Sequence, residues 1–155
     1  MSAVRQRLEE LDVVLPPTPP PPVAAYVPAR RSGDLVFVAG QIPFLSGELM
    51  ATGPVPSVTS LQAGRRAAAQ CALNALAAAA SVLDDDLDRI KRIVRLGVFV
   101  ASDPGFFEQP KVADGASELL HEVFGEAGRH VRAAVGCIAL PLNASVEVEM
   151  TLQVR

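Results

Sequence analysis

Three side chains carry most of the chemical potential of this sequence. Arg132 opens an otherwise apolar segment, "RAAVGCIALP", and Glu147 follows fifteen positions later, beside Glu149, in "SVEVEM". Tyr26 is the chain's single tyrosine. A guanidinium presents a planar fork that holds a carboxylate through two parallel hydrogen bonds, a match lysine lacks. A carboxylate beside a cleft can orient a water as base and return the proton as acid. The alternative for Arg132 and Glu147 is an ion pair between subunits that fixes an assembly.

These residues sit in a chain of 155 residues, long enough for one domain with a core of its own. Half of it is hydrophobic, yet aromatics are only 5% and tryptophan is absent, so the core must come from Ala, Val and Leu. The net charge of −3 argues against a nucleic-acid binder, which normally carries a basic face. Cys71 and Cys137 lie far apart in apolar contexts and read as reduced core residues rather than a disulfide or metal pair. The start "MSAVRQRLEELDV" has charge where a signal peptide has its apolar block, and the alanine-rich run breaks at "DDDLDR" before reaching membrane-spanning length. The expectation is a soluble cytoplasmic protein, with no membrane partner.

The elements that must position the three residues follow from periodicity. Val4, Leu8 and Leu11 mark a short amphipathic helix, and "PPTPPPP" after it is polyproline-like strap. Residues 1–22 therefore read as an N-terminal extension and 23–155 as the domain proper. Tyr26 is expected in a first strand, with a turn at Ser32-Gly33-Asp34, a second strand from Leu35 to Gly40, and a tight turn at Ser46-Gly47. Thr59 and Gln62 resemble a capping box opening a helix from about 59 to 83. Its alanine-rich stretch from Ala72 to Ala80 lets it lie close to a sheet.

Val94, Leu96, Val98 and Val100 alternate with Arg95, Gly97 and Phe99 as a strand, and a second helix ends at Gly125. "DDDLD" reads as a solvated helix end, and His121 and His130 as surface histidines. The last two strands, around Arg132 and Glu147, read as a hairpin turning at Pro141–Asn143. The fold class is α+β: a two-layer sandwich of antiparallel-rich sheet with two helices on one face.

In the last strand, Val146, Val148, Met150, Leu152 and Val154 point one way and Glu147, Glu149, Thr151 and Gln153 the other. In its neighbour, Ala133, Val135 and Cys137 are expected to meet the helices, with Arg132, Ala134, Gly136 and Ile138 on the open face. A half-apolar open face calls for a partner, and a second copy of the chain supplies one. Simple hairpin register puts Ile138, not Arg132, opposite Glu147. Arg132 and Glu147 are thus expected to meet through a neighbouring subunit.

"SGDLVFVAGQIP", "DRIKRIVRLGVFVAS" and "ASELLHEVFGEAGRHVRAAVGCIALPLNASVEVE" together resemble the Rid family, also called YjgF-like or L-PSP proteins. The likeness covers residues 23 to 155. Its strongest part is Arg132, then Leu140-Pro141, then Glu147 at the family's spacing; Tyr26, fourteen residues before Gly40, also falls on a family tyrosine.

The resemblance implies a chorismate-mutase-like fold, a homotrimer with clefts between subunits, and no metal or organic cofactor. It implies hydrolysis of 2-imino and enamine acids to 2-keto acids and ammonia. Arg132 would anchor the substrate carboxylate, Glu147 would work the water, and Tyr26 would close a wall. Gly40 and the Gly136–Cys137 backbone would add contacts. Departures from the family pattern are Ala39 where the deaminating branch has serine, Ala134 in place of a cysteine, and Ser117 as the nearest match to a helix asparagine. A second reading is a non-catalytic trimer that binds a small carboxylate; the weakest is the ribonuclease activity attached to some relatives.

Overall fold

The computed structural model describes residues 2–155. Helix α1 spans Ala3–Glu10, and an extended strap then leads to β1 (Ala29–Ser32) and β2 (Leu35–Gln41). A small hairpin, β3 (Phe44–Leu45) and β4 (Glu48–Leu49), precedes α2 (Leu61–Ala80). Then come β5 (Ile90–Ala101), α3 (Gln109–Phe124), β6 (Val131–Cys137) and β7 (Val146–Val154). The main sheet runs β1-β2-β7-β5-β6, with α2 and α3 on one side. This is the expected α+β two-layer sandwich.

The local chemistry explains the elements. Residues of β7 alternate between fully buried and half-buried along their whole length, so one face of valines, Met150 and Leu152 enters the core. Alanines on α2 let that helix pack tightly, and nearly every residue from Ala67 onward is buried. Gly115 makes the α2–α3 approach possible, because a methyl there would overlap the Arg65 carbonyl. Leu76, Leu83, Ile93, Leu96, Leu120 and Leu152 are fully enclosed, and burying each such side chain stabilises the fold by about 1.5–3 kcal/mol.

Four local expectations are corrected. Tyr26 lies ahead of β1, not within a strand. The cap of α2 is Ser60, which accepts from Ala63 N, while Thr59 Oγ1 turns inward to Thr52 O and Ser145. A buried bonding site for that hydroxyl outcompetes an exposed cap.

More consequential is the hairpin. Strands β6 and β7 do not pair; β5 lies between them, parallel to β6 and antiparallel to β7. A parallel pair needs a crossover of a dozen residues or more, and α3 supplies it. With β6 placed by α3, its faces also reverse. Arg132 bonds to α3 and Ala134 packs on the core, whereas Val131 and Val135 are exposed. Small residues at Ala134 and Gly136 leave room for the start of α3; a methyl at Gly136 would crowd Gln109 and Ser102.

The N-terminal helix belongs to the same body. Val4 and Leu8 join the main core, and Asp88 accepts from Ala3 N and Val4 N at 2.8 and 2.9 Å. The acidic "DDDLD" segment thus caps α1, and Asp85 pairs with Arg5 at 2.6 Å. Among the described residues no helix is long and apolar enough to cross a membrane.

Candidate functional site

The sheet face away from the helices carries the first half of the site. Strand β2 holds a bulge: Val38 pairs with Met150, but Gln41 already pairs with Val148. One extra residue is therefore housed at Ala39–Gly40, bending β2 beside the carboxylates of β7. A methyl at Gly40 would overlap Glu147 Oε1, so any larger residue there would have to push the carboxylate aside.

Glu147 lines a small cleft with Gly40, Tyr26, Phe44 and Pro141, and Pro20–Val23 of the strap form its outer wall. The cavity enclosed is about 30 Å³, room for only a few small atoms. Glu147 is half-buried and accepts no hydrogen bond from a described residue. Burial, and secondly the charge of Glu149, push its carboxyl above the ordinary value of 4.5. Glu149 differs: Arg95 pairs with it at 2.9 Å.

The second half lies across the sheet. Arg132 sits level with Leu96 of β5, and Glu147 with Phe99. Two strand spacings and three residues separate them, roughly 10 Å in each direction. They also face opposite sides. Arg132 Nη1 meets Asp114 at 2.8 Å and Ser117 Oγ at 2.9 Å, and Nη2 donates to the Pro110 carbonyl at 3.0 Å. Nε has no partner among the described residues, so one edge of the fork is open.

His130 adjoins this corner. Its Nε2 is 2.8 Å from Ser117 Oγ, its Nδ1 is 2.7 Å from Gly128 O, and burial lowers its pKa. It is half-buried rather than a surface residue. His121 instead bonds Gly125 O and closes α3.

Within one chain the residues singled out from sequence thus form two groups. Tyr26, Gly40 and Glu147 share the cleft; Arg132 and Ser117 share the α3 corner, with Ala134 beside them on β6. Cys137, at the end of β6, is partly exposed on the open face instead of in the core. Burial first, then the charge of Glu147, raises its thiol pKa. Cys71 is the buried one, its thiol raised mainly by desolvation. Among the described residues no three His, Cys, Asp or Glu side chains cluster as metal ligands.

Sequence reasoning missed Asp114 and Pro110, which hold the guanidinium, because their proximity depends on the crossover. It also missed Pro20–Pro22 as a cleft wall. The signal was present in the proline run ending just before Tyr26.

This bulged sheet with two helices on one face, and Arg132 and Glu147 on its last strands, has close counterparts. A family model described as "YjgF/chorismate mutase-like, putative endoribonuclease" matches residues 11–153. The chain belongs to the YjgF/Rid family. A crystal structure of a protein of unknown function from Agrobacterium tumefaciens superposes with a TM-score of 0.92 at 44% identity, covering 99% of this chain and 93% of that one.

Protein TCP17 of Trypanosoma cruzi is 41% identical, over 98% of this chain and 94% of its own. The Rid member named 2-iminobutanoate/2-iminopropanoate deaminase from Dermatophagoides farinae is 27% identical, over 88% of this chain and 91% of its own. The chain is thus a Rid-family protein with some relatives named imine deaminases.

Proposed function

We propose that this protein hydrolyses small 2-imino and enamine acids to 2-keto acids and ammonia, at clefts completed between copies of itself in a homotrimer. The observation that carries the proposal is Glu147: an unpaired, half-buried carboxylate with a raised pKa, set against Gly40 and Tyr26. A carboxylate whose pKa is raised by burial is a stronger base toward a bound water than an exposed one.

In the proposed reaction Glu147 takes a proton from a water whose oxygen attacks the imine carbon. The adduct carries hydroxyl and amine on one carbon. The proton taken from water goes to the imine nitrogen to make that amine. Glu147 then takes the hydroxyl proton and passes it to the amine, the carbon–nitrogen bond breaks, and ammonia leaves as the carbonyl forms. The substrate carboxylate would take the open Nε edge of Arg132 from a neighbouring copy. Geometry supports two chains, because one chain keeps the two groups on opposite faces.

The exposed surface also suits assembly: Phe37, Val131 and Val135 on the open face are about half exposed or more, and Ile138 just past β6 is 96% exposed. The test couples an amino-acid oxidase to the purified protein and follows imine decay. Acceleration lost in Glu147→Gln supports the proposal; decay at the spontaneous rate with wild-type protein refutes it.

A second reading is binding of a small carboxylate without turnover. What favours it is the strap, which narrows the cleft to about 30 Å³, together with Ala39 and Ala134 at positions where the deaminating branch has polar groups. Saturable 2-keto acid binding with no acceleration of imine decay would establish this reading.

A further inference from the structure

The strap has two sides, and the side away from Glu147 encloses a larger space. A cavity of about 530 Å³ lies between the strap, the β3–β4 hairpin and α2. This is within the range of roughly 300–1,000 Å³ typical of small-molecule sites. Proline rings of the strap, Val14, Val23, Phe44 and Leu45 form its walls, and no charged side chain lines it. A carboxylate or phosphate finds no counter-charge there.

Thr18 and Ser46 add hydroxyls at the strap and the hairpin, and two amides of α2, Gln70 and Asn74, line the helix side. Asn74 is fully buried and donates from Nδ2 to the carbonyls of Ile42 and Phe44, both at 3.0 Å. Those two acceptors fix its orientation, so Oδ1 must accept, and it does so from Gln70 Nε2 at 3.0 Å. The Gln70 amide is thereby fixed as well. Its Oε1 receives no hydrogen bond from a described residue, although Gln70 is only 8% exposed. Among the described residues no enclosed side-chain oxygen or nitrogen lacks a partner, so this oxygen keeps some accessible surface, and the cavity is the space that Gln70 lines. A nearly buried acceptor facing an apolar chamber is a costly arrangement unless a donor arrives.

We propose that this cavity binds a small aromatic molecule carrying one N–H or O–H donor, its ring against the strap prolines and its donor on Gln70 Oε1. Proline-rich backbone and aromatic faces are mutually complementary surfaces. Here the protein supplies the prolines and the ligand the ring. Glu147 is not part of this site, although Pro20–Val23 and Phe44 wall both spaces.

Indole and 1-methylindole, which differ in the single N–H, are the probes. Each is titrated into the full chain by calorimetry, and a crystal structure is determined with indole bound. Indole is expected to bind about tenfold more tightly than its methylated analogue. Gln70→Met is expected to erase that preference, and Leu45→Trp, which fills the chamber from the hairpin, to abolish binding of both. The proposal is overturned by an absence of saturable indole binding to the wild-type chain, by a preference that survives Gln70→Met, or by indole found in the Glu147 cleft instead.

Discussion

Glu147 and Arg132 stand in opposite electrostatic circumstances within one chain. The arginine is held on three sides by α3, through Asp114, Ser117 and the Pro110 carbonyl. The glutamate has no partner among the described residues, and burial raises its pKa. A charge held by fixed partners on most of its donors is an anchor, whereas a desolvated one without partners is chemically restless. Under the proposed reaction the contrast suits them to different work, Arg132 to hold and Glu147 to move protons. It also explains why neither alone makes a site, since the sheet stands between them.

The largest expected effect of breaking this contrast is on turnover. Glu147→Gln keeps size and burial but removes the base, and imine decay is expected to slow about 100-fold or more. A variant as fast as wild type would give proton transfer to another group.

Next is the arginine. Arg132→Ala is expected to weaken 2-keto acid binding by about 1.5–3 kcal/mol, the range for hydrogen bonds to charged groups. Arg132→Lys should recover little, because the fork is lost. Mixing the two inactive variants sharpens the test. If each cleft takes Glu147 from one copy and Arg132 from another, mixed assemblies regain part of the activity; no regain means both come from one chain.

Gly40→Ala follows in size. The added methyl meets Glu147 Oε1, and pushing the carboxylate aside is expected to destabilise the fold by about 1–3 kcal/mol while reducing activity. Unchanged thermal stability would mean that the bulge relaxes freely.

The smallest effect is on pH dependence. A carboxyl whose folded pKa is raised opposes folding when ionised, so its penalty is absent below pH 4.5 and appears as pH rises through the raised value. At high dilution, Glu147→Gln is therefore expected to melt above wild type at pH 8, with the gain vanishing toward pH 4. A gain that persists unchanged at pH 4 would point to packing rather than ionisation.

Most of the architecture could be read from periodicity. The two-residue alternation of Val146 to Val154 and the alanine run of α2 each permit one arrangement only, and both stand as expected. The pairing of β6 could not be read, because its short mixed run "VRAAVGC" has no decisive apolar face. Alternation there gave the wrong side for Arg132. Which strand lies beside which is settled by α3 and its crossover, a long-range matter that adjacent strands with a turn between them do not reveal. The Glu147–Gly40–Tyr26 grouping was legible as a set of candidates from family likeness, but the bulge that joins Gly40 to Glu147 was not.

The bonds from Asp88 to the first amides of α1 bear on a region far from that helix. They hold one end of the segment whose other end walls the Glu147 cleft, so the aspartate behaves as a latch on a cover. Hydrogen bonds to Val4, foremost, and to Ala3 keep its carboxyl below 3.8, and the latch stays fastened through mild acidity. Only in strong acid would it spring, freeing the helix start and loosening the cover over a chamber it never touches.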